Sequence, residues 1–317
     1  MAGKRRPTAT IADIAEGWVT LPTGARVHYR RAGEGEPILL LHGIAHSCRA
    51  WDRVVVPLAE RYDVIALDML GCGLSDKPDT DYSLGSQAVA VRFVLDELGL
   101  DSVIAVGHSL GGGVAMTLAY HYPERVGRLA LVSSGGLGKE LHPIFRMATL
   151  PWAPEYVMRG IFHPLARAPR NALTSMFTRA TGDPFFFNPE GHRADMEELL
   201  ETMEQPAAQR AFLAMLRSAS SVAGQAVSAL DRLGLASFPI LIVWGREDHV
   251  FPVQHAYRAA EVVPEAHVVV IDECGHFPQV EATSTFTHEL LDWLGRTESH
   301  PVDPRALVGK PGATTPA

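Results

Sequence analysis

The stretch VIAVGHSLGGGVAM, residues 103–116, decides how the rest of the chain is interpreted. It opens with an apolar run that predicts a buried β-strand, and LGGGVAMTLAYHY after it predicts a helix. The turn between them contains Gly107-His108-Ser109-Leu110-Gly111, a G-x-S-x-G motif. Serine between glycines is common in loops, so a purely structural turn is the alternative. Between a strand and a helix, however, the motif predicts a nucleophilic serine whose hydroxyl is exposed above the sheet.

Short apolar runs alternate with helical patterns along most of the chain. We predict eight strands, in the order EGWVTL, ARVHYRRA, PILLL, DVIAL, SVIAV, VGRLALVSS, FPILIVWG and HVVVID. The first two form a hairpin around the turn PTG. Strands that are apolar almost throughout and separated by helices are typical of a parallel sheet covered on both faces. The predicted fold class is therefore α/β, with a mostly parallel eight-stranded sheet.

The alternation breaks once, between LVSSGG and FPILIVWG, where the signals are helical. We predict a core from residues 16–136 and 219–296, an inserted helical cap from 137–218, and disordered ends at 1–15 and 297–317. SSVAGQAVSALDRLG, residues 220–234, is predicted as the helix that leads back to the sheet. The cap contains six of the nine methionines and seven of the twelve phenylalanines. This enrichment favours an apolar substrate surface, although a small helical unit also needs such residues for its own core.

Composition and charge describe an ordinary globular chain. Apolar residues make up 47% of it, and the formal net charge is −8, which argues against nucleic-acid binding or an anionic membrane surface. Cys48, Cys72 and Cys274 form no C-x-x-C pair, so we expect free thiols in a reducing compartment. The sequence has neither a secretory signal pattern nor an apolar run of membrane-spanning length. We therefore expect a cytoplasmic protein, and the oligomeric state is left open.

Two later loops offer partners for Ser109, because a serine hydroxyl is a poor nucleophile without a base. Asp248 follows the strand PILIVWG, and His276 follows the strand HVVVID. Both positions lie where the carboxyl ends of parallel strands deliver side chains to one crevice. We predict Asp248 as the acid and His276 as the base. The other acids and histidines considered are assigned to surface, packing or hydrogen-bonding roles: Glu247, Asp272, His108, His249, His255, His267 and His288.

The segment LLLHGIAHSCRAW is predicted to supply an oxyanion hole. Gly43 allows the backbone to approach the site closely, and the N–H of Ile44 can then act together with the N–H of Leu110. Ala45 is the alternative to Ile44. The motif glycines Gly107 and Gly111 are predicted to be small because neighbouring backbone is close to them. A second turn-rich stretch, LDMLGCGLSDKP at residues 67–78, is assigned a structural role, in which its acid and serine accept from backbone donors.

Five stretches together resemble the α/β-hydrolase superfamily over residues 16–296: LLLHGIAHS, DMLGCGLSDKP, VGHSLGGGVAM, WGREDHVFP and GHFPQVE. The resemblance is to lidded bacterial members, and VGHSLGGGVAM is especially similar to actinobacterial lipolytic hydrolases. It implies a Ser-Asp-His triad that needs no cofactor and no metal, and a helical lid after the sixth strand. Epoxide hydrolases and haloalkane dehalogenases carry aspartate where this chain has Ser109. The glycine-rich stretch common in C–C hydrolases reads HGIAHSCRA here, which weakens that option without removing it.

The leading functional hypothesis is a serine hydrolase that cleaves carboxylic esters of small to medium apolar substrates through an acyl-enzyme. A C–C bond hydrolase of the meta-cleavage type could use the same triad. A low-turnover ligand-binding protein on the same fold is the third possibility, because fold does not fix function. The candidate pocket residues in the cap are Phe145, Trp152, Met176 and Phe212. The predicted partner is a small apolar molecule.

Overall fold

The computed structural model describes residues 10–11, 14–151, 155–156 and 201–300. These residues form an eight-stranded sheet and a separate two-stranded one. The strands are β1 (Ala15–Thr20), β2 (Arg26–Ala32), β3 (Glu36–Leu41), β4 (Tyr62–Leu67), β5 (Val103–His108), β6 (Val126–Val132), β7 (Ser220–Ser221), β8 (Gly224–Gln225), β9 (Ile240–Gly245) and β10 (His267–Ile271). The eight strands predicted for the main sheet are all present, which confirms the fold class.

The large sheet has the strand order β1-β2-β4-β3-β5-β6-β9-β10. The β1–β2 and β2–β4 pairs are antiparallel, and every other neighbouring pair is parallel. The parallel strands therefore place their carboxyl ends along one edge of the sheet. His108 ends β5, Gly245 ends β9 and Ile271 ends β10, so the loops that follow these strands meet at that edge.

Helices pack against the sheet and form part of the predicted insert. The described helices are α1 (Asp52–Leu58), α2 (Leu84–Glu97), α3 (Leu110–His121), α4 (Pro143–Ala148), α5 (Pro206–Ala219), α6 (Leu230–Leu233), α7 (Gln254–Val262), α8 (Pro278–Glu281) and α9 (Thr283–Arg296). α4 lies within the predicted cap, and α5 ends at Ala219, one residue beyond the cap's predicted border. None of the helices in the described ranges combines the length and the apolar content that a membrane crossing requires.

Two apolar cores lie on opposite faces of the sheet, because alternate residues of a strand point to opposite sides. On β3, Leu39 and Leu41 join the core that includes residues of α2, α3 and α7. Ile38 and Leu40 join the second core, which includes residues of α1 and α9. Burial on both faces explains why the strands have continuous apolar sequences instead of alternating ones.

The prediction of a helix over residues 220–234 is wrong. β7 and β8 form an antiparallel hairpin in which Ser220 pairs with Gln225, and only α6 in this segment is helical. Gly224 has a φ of +118°, and a side chain there would collide with the carbonyl oxygen of Lys139. This turn requires glycine and lies close to the backbone of Lys139, and these two constraints override the helical pattern of the sequence.

The described structure reaches into both of the segments predicted to be disordered, residues 1–15 and 297–317. Ile14 is buried in the second core, and β1 begins at Ala15, so the ordered chain starts before residue 16. At the other end, the Arg128 guanidinium donates hydrogen bonds to the carbonyl of Thr297 at 2.8 Å. The N–H of His300 donates to the carbonyl of Gly127 at 3.0 Å. Residues 297–300 thus extend the fold beyond α9, because they satisfy polar groups at the start of β6.

Candidate active site

Ser109, His276 and Asp248 form a hydrogen-bonded chain at the carboxyl edge of the sheet. Nδ1 of His276 lies 2.9 Å from Oδ2 of Asp248, and Nε2 lies 3.1 Å from Oγ of Ser109. A carboxylate can only accept, so Nδ1 carries a proton and donates to Asp248. In the neutral imidazole, Nε2 is then an acceptor for the serine hydroxyl. All three residues are buried, which keeps bulk water from competing for these bonds.

Ser109 has an unusual backbone conformation, with φ +53° and ψ −117°. This lies in the region that residues other than glycine rarely adopt. Its N–H donates to the carbonyl of Val132 at 3.0 Å, and its own carbonyl accepts from Gly112 and Gly135 at 3.1 and 3.0 Å. These bonds hold the turn between β5 and α3. The strained conformation places Oγ beside the histidine instead of within the sheet.

Positions 107 and 111 have no room for a side chain, because the turn packs tightly against neighbouring backbone. A Cβ at Gly107 would collide with the backbone of Gly111 and Gly112. One at Gly111 would collide with the carbonyl oxygens of Leu41 and His42, at the end of β3. The spacing of G-x-S-x-G therefore reflects two contacts between backbone segments, one on each side of the serine. The sequence predicted this packing for both glycines.

The two carboxylate oxygens of Asp248 accept hydrogen bonds from different partners. Oδ1 accepts from the N–H groups of Val250 and Phe251 at 2.8 and 2.9 Å, and Oδ2 accepts from His276. The carboxylate therefore has a fixed orientation and bonds to the imidazole with one oxygen only. The rival acids Glu247 and Asp272 are exposed, and Asp272 forms an ion pair with Arg246 at the surface. The structure thus brings Asp248, and neither rival, to His276.

The loop that carries His276 is held by Glu281, whose role the sequence did not predict. The Glu281 carboxylate accepts from the N–H of Gly275 at 2.8 Å and from the N–H of Phe277 at 2.9 Å. It thus binds the residues on either side of the histidine. The only signal in the sequence is an acid five residues after His276, in GHFPQVE, and that spacing alone assigns no partner.

The predicted oxyanion turn lies directly beside Ser109. The N–H of His46 donates to the carbonyl of Gly43 at 3.3 Å, and Ala45 has a φ of +63°, so residues 43–46 form a tight turn. A Cβ at Gly43 would lie 3.2 Å from Cβ of Ser109. Leu110 begins α3, and the first N–H groups of a helix have no acceptor within the helix. The turn and the helix start therefore flank the serine.

His42 fixes the orientation of this turn. Its Nδ1 lies 2.7 Å from the carbonyl oxygen of Gly43 and donates to it, while Nε2 accepts from the N–H of Met69 at 3.0 Å. Burial lowers the pKa of His42, so the ring stays neutral with one donor and one acceptor. The Cys72 thiol lies near the backbone of Ala45. Burial raises the pKa of that thiol to about 12, so it remains protonated.

Apolar side chains of α5 pack above the oxyanion turn. Ala211 and Met215 form a buried cluster with Cys72 and Tyr82, and the half-buried side chains of Ile44, Leu70, Leu110 and Ala214 pack against it. Phe212 and Ala45 each pack against a second small cluster, formed by Met203 and Leu213. Phe145 packs against the large core instead. Trp152 and Met176 lie outside the described residues, so their predicted place in the pocket stays a prediction.

His28, Cys48 and Asp68 are a buried group whose ligand atoms lie within 4.8 Å of one another, as a metal site would require. Nδ1 of His28 donates to Oδ2 of Asp68 at 2.9 Å and thus carries a proton. Burial, followed by the nearby Asp68, raises the pKa of Cys48 far above its ordinary value. A metal would need the unprotonated nitrogen and the thiolate. These residues therefore fit a hydrogen-bonded structural cluster better than a metal centre.

Asp68 is the centre of this cluster. Its carboxylate also accepts from the N–H of Cys48 at 2.6 Å and from the N–H of Leu74 at 2.9 Å. Burial alone would raise its pKa, but the bond from His28, the nearby His42 and the two N–H groups hold the pKa below its ordinary value. Asp68 thus joins the loop after β4 to the segment that follows the oxyanion turn.

Comparison with known proteins identifies the family. A sequence model of the alpha/beta hydrolase fold matches residues 36–283, and the chain belongs to this family of hydrolases. It is 36% identical over 311 residues to an uncharacterized protein of Mycobacterium tuberculosis, covering 97% of this chain and 90% of that protein. It is 30% identical to a 2-hydroxy-6-oxo-6-phenylhexa-2,4-dienoate hydrolase of Burkholderia cepacia, covering 85% and 91%. The esterase RhEst1 from Rhodococcus is similar in structure, with a TM-score of 0.68 and 25% identity over 90% of this chain and all of that one.

We predict that Asp68→Asn lowers the free energy of unfolding by roughly 2–4 kcal/mol at pH 7, because its buried donors lose a charged acceptor. The folded-state pKa of Asp68 is depressed, so its charge stabilises the fold above the ordinary carboxyl range. That contribution is lost as the pH falls through about 4 and below. Urea unfolding at pH 7 and at pH 3.5 measures both effects.

Asp272→Asn is the matched control, since the Asp272 side chain is 73% exposed and pairs with the surface residue Arg246. It should change the unfolding free energy by less than about 1 kcal/mol. A difference between Asp68→Asn and the parent that is as large at pH 3.5 as at pH 7 would contradict the account of the cluster.

Proposed function

We propose that this chain is a serine hydrolase that cleaves carboxylic esters of small to medium apolar substrates through an acyl-enzyme. The observation that carries the proposal is the continuous chain of hydrogen bonds from Asp248 through His276 to Oγ of Ser109. In this arrangement the imidazole can remove the hydroxyl proton as the oxygen attacks. The predicted residues Ser109, Asp248 and His276 thereby receive the roles of nucleophile, orienting acid and base.

In the first half-reaction, Oγ of Ser109 forms a bond to the ester carbonyl carbon while its proton moves to Nε2 of His276. The carbonyl double bond opens, and its oxygen takes the negative charge. As the intermediate collapses, the bond to the alcohol oxygen breaks, and the alcohol leaves with the proton from Nε2. Asp248 accepts the Nδ1–H bond throughout, which favours the charged imidazolium without a second proton transfer.

In the second half-reaction, water takes the place of the alcohol. His276 accepts a proton from the water as its oxygen attacks the acyl carbon. Collapse of this intermediate breaks the bond to Oγ of Ser109, which recovers its proton from Nε2. The acid is released, and the enzyme returns to its starting state. One histidine serves both halves, because it gives up the proton that it has accepted and is neutral again at the end of each half-reaction.

We assign the negative oxygen of both intermediates to the N–H groups of Leu110 and Ile44. The N–H of Leu110 lies at the positive end of the α3 dipole. In the turn at residues 43–46, Gly43 lies against Ser109, and we assign the second donor to Ile44, the residue that follows it, with Ala45 as the alternative. Such donors act strongly because they are oriented before the reaction, and loss of one typically costs about 3 kcal/mol of barrier.

The apolar packing above the turn supports an apolar substrate. The buried cluster around Met215 and Ala211 contacts Ile44 and Leu110, the two residues assigned to the oxyanion. Phe212 packs against the cluster of Met203 and Leu213, which also contacts Ala45 of the same turn. An acyl or alcohol group that enters between α5 and the sheet would thus meet hydrocarbon and sulfur atoms, which bind by burial and not by charge.

C–C bond cleavage is the second candidate, because a hydrolase of a phenylhexadienoate is 30% identical over most of the chain. The same nucleophile and base could act on a ketone carbon. A dienoate also carries a carboxylate, which calls for a cationic or hydrogen-bonding partner. The apolar cluster beside Ile44 and Leu110 favours the ester, and the two activities can be measured side by side.

We predict that the parent protein hydrolyses p-nitrophenyl esters and that Ser109→Ala lowers turnover by roughly a thousandfold or more, because the nucleophile is lost. Turnover is followed at 400 nm with esters from acetate to decanoate. A 2-hydroxy-6-oxo-dienoate is assayed in parallel through its visible absorbance. Faster consumption of the dienoate than of any ester would favour C–C cleavage. Turnover of Ser109→Ala within about tenfold of the parent would remove Ser109 as the nucleophile.

Asp248→Asn and Glu247→Gln provide matched controls in the same assay. They change neighbouring acids of one loop, of which only Asp248 is buried against His276. Asp248→Asn should lose turnover by about ten-thousandfold, because the amide favours the wrong imidazole tautomer. Glu247→Gln should retain it, and loss of turnover in Glu247→Gln alone would mean that the acid is misassigned by one residue. If the parent turns over no substrate, the proposed hydrolase function is contradicted, and the third possibility, a ligand-binding protein on the same fold, is favoured.

Phe212 and Phe145 should differ in their effect on substrate choice. Phe212→Ala should shift the preferred acyl length, because Phe212 packs against the same small cluster, Met203 and Leu213, as Ala45 of the oxyanion turn. Phe145→Ala should lower the melting temperature and leave the preference unchanged, because Phe145 packs on the core. The shift should be graded, since each buried methylene contributes about 0.8 kcal/mol. Profiling both variants across ester lengths tests this, and an unchanged preference in Phe212→Ala contradicts it.

A further inference from the structure

His108 is a buried histidine that the proposed reaction does not use. It is the last residue of β5 and directly precedes Ser109. Its Nε2 lies 2.8 Å from the carbonyl oxygen of His276. A carbonyl can only accept, so the His108 Nε2 carries a proton and donates it to this bond. The neighbour of the nucleophile is thus bonded to the main chain of the proposed base, 168 residues away in sequence.

The His108 ring is also confined by packing. Its centroid lies 4.9 Å from the His276 ring and 5.0 Å from the Phe277 ring. A Cβ at Gly43 would come within 2.8 Å of its Nδ1, so the oxyanion turn lies close to the other edge. Burial, followed by the nearby His276, holds the pKa of His108 well below its ordinary value. The ring is therefore neutral, and its one N–H is the one directed at His276.

The histidine loop is consequently held from two sides. Glu281 accepts from the N–H groups of Gly275 and Phe277, and the carbonyl of His276 between them accepts from His108. One main-chain group from each of three successive residues is thus bonded to one of two side chains. Of these two, His108 alone is attached to the strand that carries Ser109, so it alone joins the base loop directly to the nucleophile.

We infer that His108 is a positioning residue, which fixes His276 relative to Ser109 through its hydrogen bond to the His276 carbonyl. The inference rests on the proposed function, since it assigns His276 as the base. Without the His108 donor, this carbonyl loses the hydrogen bond that joins it to the strand of Ser109, and the loop can move relative to the nucleophile. The distance of 3.1 Å between Nε2 of His276 and Oγ of Ser109 is then no longer enforced. A misplacement of about 1 Å at reacting groups can lower the rate roughly a hundredfold.

The test compares His108→Phe with His108→Gln. Phenylalanine keeps a flat ring but has no donor, whereas glutamine can place an N–H near the position of the histidine Nε2. We expect His108→Phe to lower kcat for p-nitrophenyl esters by roughly tenfold to a hundredfold with KM within about twofold. His108→Gln should recover most of the loss. His121→Phe and His121→Gln, at the exposed end of α3, make the same changes on the surface and should leave kcat unchanged.

A role in packing alone predicts a different pattern. The melting temperature would then fall in His108→Phe and His108→Gln alike, and kcat of the folded fraction would be unchanged. Unchanged kcat in His108→Phe, or a loss in His108→Gln as large as in His108→Phe, overturns the inference. The melting temperature of each variant is measured so that unfolding is separated from misplacement.

An imidazole nitrogen NMR measurement at pH 7 separates this inference from the proposed function, because it needs no turnover. We expect the His108 Nε2 to carry a slowly exchanging proton and Nδ1 to carry none. A proton on Nδ1 overturns the inference whatever the activity. If the parent hydrolyses no ester, the proposed function fails, and the rate of Ser109 labelling by a fluorophosphonate takes the place of kcat in the comparison of variants.

Discussion

The backbone conformation of Ser109 is the constraint on which the rest of the site depends. A positive φ in a residue other than glycine costs about 1–3 kcal/mol and persists only when the surroundings enforce it. Here they do so through the bonds to Val132, Gly112 and Gly135, and through the close packing at Gly107 and Gly111. The same conformation directs the side chain toward His276 and starts α3 immediately afterwards. The hydrogen bonds and packing around the turn therefore offset the conformational cost and keep the hydroxyl in place.

Around the serine, hydrogen bonds between loops replace the regularity of the sheet. His42 and Asp68 hold the oxyanion turn and the segment that follows it, and Glu281 and His108 hold the histidine loop. Asp248 orients itself through two backbone N–H groups of its own loop. Each loop follows a different strand. The sheet therefore fixes the position at which each loop begins, and the hydrogen bonds of buried side chains fix its conformation. Substitutions at these side chains should therefore affect the geometry of the site as well as stability.

Much of this could be read from the sequence, for identifiable reasons. Strands buried on both faces have continuous apolar runs, and the G-x-S-x-G turn marks where one strand meets one helix. Asp248 and His276 each follow a predicted strand in the loop directly after it, so no long-range information was needed to propose them. The hairpin at residues 220–225 was missed because its cause is the contact of Gly224 with Lys139, far away in sequence. His108 was assigned a packing or hydrogen-bonding role, but its partner was not predicted, and Glu281 was not considered. Their bonds to the His276 loop depend on how the loops meet in three dimensions.

Trapping of the acyl-enzyme tests the central claim most directly. The parent protein is mixed with a p-nitrophenyl ester, quenched in acid within the first turnover and digested, and the acyl group is located by mass spectrometry. If the chain from Asp248 to Ser109 works as proposed, the acyl group is found on Oγ of Ser109. Its formation should match a burst of one p-nitrophenol for each protein molecule. An acyl group on another residue, such as the neighbouring Cys72, or turnover that proceeds with no adduct on Ser109, would contradict the account.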